Sequence, residues 1–74
     1  MANIFFLKNN KKFKKEMLPL LIEKYQLQSV PFGKIGTVYS GEGISIIIDQ
    51  TDVRIHILKK GLVEDVENLL EIKF

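Results

Sequence analysis

The residues best suited to chemistry stand close together in DQTDVRIHIL. This stretch holds Asp49, Asp52, Arg54 and His56, the only histidine in the chain. A histidine base needs a nucleophile beside it, and Ser29, Ser40 and Ser45 are the serines available. None of them has the glycine-flanked surround of a nucleophile elbow. One histidine without cysteine also leaves a zinc ion short of its three or four ligands. Asp49 and Asp52 flank Gln50-Thr51, where short acidic side chains cap turns by bonding nearby backbone amides. No catalytic residue, no metal ligand and no enzymatic activity is therefore expected. Arg54 and His56 are read as surface residues of a strand.

Glycines near lysine raise the question of a phosphate loop. A Walker loop needs a glycine five residues before Gly33 and a hydroxyl after Lys34, but the chain has Gln28 and Ile35 there. Gly41-Glu42-Gly43 lacks the third glycine of a dinucleotide fingerprint, since Ile46 holds that place. It reads as a hairpin turn between two apolar runs. Gly33-Lys34-Ile35-Gly36 spells the GXXG that clamps a nucleic-acid backbone between two helices, yet Thr37-Val38-Tyr39 continues as a strand. No cofactor and no small-molecule substrate is expected.

The strongest departure from an ordinary surface is KNNKKFKK, Lys8 to Lys15. Lys11, Lys12, Lys14 and Lys15 form a candidate site for the phosphates of a nucleic acid. Residues 1–34 carry seven lysines against two glutamates, a balance of +5, while residues 35–74 carry four cations against seven acids, a balance of −3. The basic half can attract an acidic partner, or the acidic half of the same chain or of a second copy.

These side chains must be held by some framework. The 74 residues are read as one small domain, residues 1–74. A chain of this length buries only about 60% of the surface it exposes when unfolded, so its core is small. Ile4 to Leu7 reads as a strand. From Asn10 the period becomes helical: Phe13, Met17, Leu20, Leu21 and Tyr25 line one side of a helix over about 10–27, with Asn9 or Asn10 as its cap. Pro19 lies inside that pattern, so the helix is expected to bend there. Residues 28–33 read as a connection. Three strands follow, Ile35 to Ser40, Ile44 to Asp49 and Val53 to Leu58. Leu62, Val66, Leu69 and Leu70 then mark an amphipathic helix over about 61–72, with Ile72 and Phe74 anchoring its end.

The fold expected is α+β in two layers, in the order β-α-β-β-β-α. An antiparallel sheet of three to four strands carries both helices on the face of Ile44, Ile46, Ile48, Val53, Ile55 and Ile57. The first strand lies at an edge or beside the last strand. The helix–strand–strand–strand–helix portion resembles double-stranded RNA-binding domains in element order alone, because the loop at Gly41-Glu42-Gly43 lacks their histidine. The other sheet face is expected to show Ile47, Arg54, His56, Leu58 and Tyr39, with apolar area of the kind that marks an interface. The chain is read as a non-enzymatic binding or regulatory protein that docks on a protein partner or on its own copy through this face. The alternative is nucleic-acid binding through the four lysines. The lack of cysteine fits a reducing cytoplasm, and no apolar run is long enough to span a membrane.

Overall fold

In the computed structural model the described residues are 3–8, 10–34 and 36–73, without the side chains of Asn3, Asn10, Glu71, Ile72 and Lys73. The expected cap at Asn9 or Asn10, the strand start at Ile35 and the anchors Ile72 and Phe74 lie outside this description.

The described residues form five strands and two helices. β1 is Asn3–Leu7, β2 is Gln28–Phe32, β3 is Gly36–Gly41, β4 is Ile44–Ile48 and β5 is Val53–Ile57. Helix α1 covers residues 10–25 and helix α2 is Lys60–Lys73. The strands make one antiparallel sheet in the order β1-β5-β4-β3-β2. The class is α+β as expected, with one strand more. Strand β1 meets both expectations for it, being an edge strand and a neighbour of β5. Four strands separate the helices, so the element order of double-stranded RNA-binding domains is not reproduced.

The additional strand is β2. Val30 before Pro31 is forced into extended backbone, and proline is tolerated in a sheet at an edge, where a missing amide costs no central ladder bond. Its one-to-one pairing with β3 runs from Gln28↔Ser40 to Phe32↔Gly36. The same residues read as a connection in sequence because proline and glycine punctuate them.

Helix α1 is continuous but not uniform. It is α-helical over Asn10–Lys12, π-helical over Phe13–Met17 and α-helical again over Leu18–Tyr25. The wider turn adds about one residue, which rotates every later side chain relative to a plain α-helix. Leu18 turns into the core and Leu20 turns out, 44% exposed, where regular spacing had placed Leu20 inside. Phe13, Met17 and Leu21 are fully buried as the pattern required.

The core unites those residues with Leu27, Val66 and the six apolar side chains of β4 and β5 that were expected to carry the helices. Because β1 and β2 are opposite edges, α1 carries the chain across this one face of the sheet. The Glu42–Gly43 turn closes β3 on β4, with Gly43 at φ +81. Side chains rarely adopt that conformation, and glycine does so at no steric cost.

Candidate docking surface

Strand alternation leaves the second face of the sheet to the remaining residues, and the register places them in rows. Phe6, Arg54, Ile47, Val38 and Val30 are successive cross-strand partners across all five strands. The next row is Ile4, His56, Ser45, Ser40 and Gln28. Directly opposed residues of an antiparallel pair share a face, so each row is a line of neighbours on the side away from the core.

The first row is apolar except for Arg54. Ile4, Phe6, Val30 and Phe32 are 47–61% exposed. They are two exposed pairs, one at each edge of the sheet, joined across it by the half-buried Ile47 and Val38. Connected apolar area of this kind is unusual on a monomer, whereas single exposed side chains are ordinary. The basic centre has no acidic counterpart within the two rows. No salt bridge within 4 Å is found for Arg54 among the described residues, although its charge reaches the Asp49 carboxyl beyond the end of β4. His56 is half-buried, and its Nε2 is shielded from solvent without a hydrogen-bond partner among the described residues.

Of the residues expected on this face, Ile47 and Arg54 are direct cross-strand neighbours, and His56 lies in the adjoining row. Leu58 stands one residue beyond β5, 70% exposed, with its amide donating to the Gly43 carbonyl at 2.8 Å. Tyr39 is on the other face. It pairs with Ile46 and packs on the core, because the strand containing it alternates with Val38 and Ser40 outward. Ile4, Phe6, Val30, Val38 and Phe32 were not anticipated. Alternation about Phe5 and Leu7 was a usable signal for Ile4 and Phe6. Nothing local marked Val30 and Phe32, because their strand was not recognised.

Asp49 organises the β4–β5 turn. Its Oδ1 accepts from the amide of Asp52 at 2.7 Å and of Thr51 at 3.0 Å, and its own amide donates to the Asp52 carbonyl at 3.1 Å. The amides of Asp52 and Thr51, helped by the charge of Arg54, hold the Asp49 carboxyl below its ordinary pKa of 3.8. This is turn capping, with the carboxylate oxygen committed to backbone.

Lys11, Lys12, Lys14 and Lys15 are all exposed on α1, with Phe13 among them buried. Lys14 and Lys34 border an open cavity of about 360 Å³ with Thr37, Tyr39, Asp49 and Gln50. This cavity is on the helix side and separate from the rows above. Among the described residues no cluster of three or more metal-ligating side chains occurs, and no helix is long and apolar enough to cross a membrane. No family model, curated protein or solved structure matches this chain.

Proposed function

We propose that the protein is a small non-enzymatic binding or regulatory protein whose open sheet face docks on a protein partner. The observation that carries this is the row Phe6–Arg54–Ile47–Val38–Val30, four apolar side chains around one cation on a face that neither helix covers. Five strands of five or six residues give a footprint on the order of 400 Å². The partner surface that fits is apolar with a carboxylate placed for Arg54, since a guanidinium buried without a counter-charge is costly. The two rows hold no carboxylate, and Asp49, whose carboxyl feels the Arg54 charge, already accepts from the turn amides, so a different protein is favoured as occupant over the same face of a second copy.

The test is affinity capture from the native host with the wild-type chain beside Ile47→Asp and Arg54→Glu variants of verified fold. Proteins held by the wild type and released by both variants support the reading. Identical retained sets would remove the face as the site.

A second reading, nucleic-acid binding, is favoured by the exposure of Lys11, Lys12, Lys14 and Lys15 along one helix. It requires binding of single- or double-stranded oligonucleotides that weakens steeply with salt and with glutamine at those positions. No binding at low salt ends it.

A further inference from the structure

The two free edges of the sheet differ in a way that matters for assembly. Edge strands offer unpaired amides and carbonyls, and proteins commonly blunt them with proline, charge, bulges or a covering segment. Strand β2 carries Pro31. Strand β1 reads NIFFL, with no proline and no charge, and pairs with β5 one-to-one without a bulge. Among the described residues, no further backbone hydrogen bond joins the open side of β1 to another segment.

We infer that β1 is a pairing edge and that its occupant is β1 of a second copy, added antiparallel to give one continuous ten-stranded sheet. Pairing about Phe5 aligns the full five residues of each strand. Ile4 of each copy then stands opposite Phe6 of the other, twice, on the open face. These side chains are 61% and 51% exposed in the single chain, and apolar pairs of this kind are the stabilising unit of an antiparallel ladder. The sequence adds no penalty, because no charged residue lies within the strand and the two Lys8 residues fall at opposite ends of the pair. Arg54 stays in the open in this arrangement, so the edge escapes the desolvation cost that a face-to-face pair incurs.

A five-residue strand pair is smaller than a standard interface, so the expected association is reversible, with a dissociation constant in the micromolar rather than the nanomolar range. The inference concerns an edge, so it does not depend on what covers the face.

The experiment is sedimentation equilibrium of the full chain from about 10 µM to about 1 mM, a range bracketing such a constant. Wild type is compared with an Ile4→Lys/Phe6→Lys variant and with Val30→Lys at the opposite edge, all checked for fold by circular dichroism. The expected result is a dimer for wild type and Val30→Lys, and a monomer for the β1 variant. Hydrogen exchange on the unmodified chain is the second measurement, with amides of residues 4–7 gaining protection as concentration rises. A wild-type monomer throughout, or protection independent of concentration, overturns the inference and leaves the docking face untouched. A dimer abolished by Val30→Lys but not by the β1 variant also overturns it, by moving the contact away from β1.

Discussion

The amide of Leu18 donates to the carbonyl of Phe13, five residues back rather than four. Pro19 follows immediately, and it has no amide to donate and a ring that would strike the carbonyl of the preceding turn. The wider turn places the proline at the start of the second α-helical section, where a missing amide is least costly.

From this follows an expectation for Pro19→Ala. A proline in an ordinary helix interior costs about 3 kcal/mol. Here its replacement is expected to change stability by no more than about 1 kcal/mol, as an alanine also suits that position. Urea unfolding measures the difference. A gain near the full interior cost would mean that the π turn does not relieve the proline.

Ile46 and Ile47 are adjacent and face opposite ways. Ile46 is fully buried, so Ile46→Ala is expected to cost about 2–5 kcal/mol. Ile47 is half-buried between its cross-strand partners Val38 and Arg54, so Ile47→Ala is expected to cost about 1 kcal/mol or less. Equal losses in chemical denaturation would show that something covers the outer face in the isolated chain.

Gly36 begins β3 against the end of β4. A Cβ there would overlap the Ile48 carbonyl oxygen and crowd the Asp49 backbone. The obstacle is backbone, which cannot swing aside as a side chain can. Gly36→Ala is expected to cost roughly 1–3 kcal/mol, the usual range for overpacking, with chemical-shift changes centred on the β3–β4 pairing. An unchanged melting temperature would contradict that close approach.

The Asp49 turn gives a pH dependence with a definite sign. The carboxyl pKa is lowered on folding, so its contribution is complete above its ordinary value of 3.8 and is lost as pH falls through the lower folded-state value. Wild type is expected to melt higher than Asp49→Ala at about pH 6, with the gap narrowing toward about pH 2. Thermal melts across that range decide it, and a gap that widens in acid would contradict the assignment.

The sequence by itself determined the elements whose residues agree at every level. In β4 and β5, alternating isoleucine and valine fix which side is core, because a strand's side chains can only alternate. In α2 the apolar spacing of Leu62, Val66, Leu69 and Leu70 marks a helix placed to within a residue or two, with Gly61 inside its first turn. The same alternation put Ile47, Arg54 and His56 on one face. Tertiary structure decided what depends on partners distant in sequence. Residues 28–32 became a strand because β3 offered a free edge where Pro31 is tolerated, and that pairing brought Val30 and Phe32 to the open face. The π turn just before Pro19 exchanged Leu18 for Leu20 in the core. The side occupied by Tyr39 was settled by its register against Ile46, and a single residue's change in register reverses every side chain of a strand. The row from Phe6 to Val30 exists only once five strands stand in register, since its members come from five separate stretches of the chain.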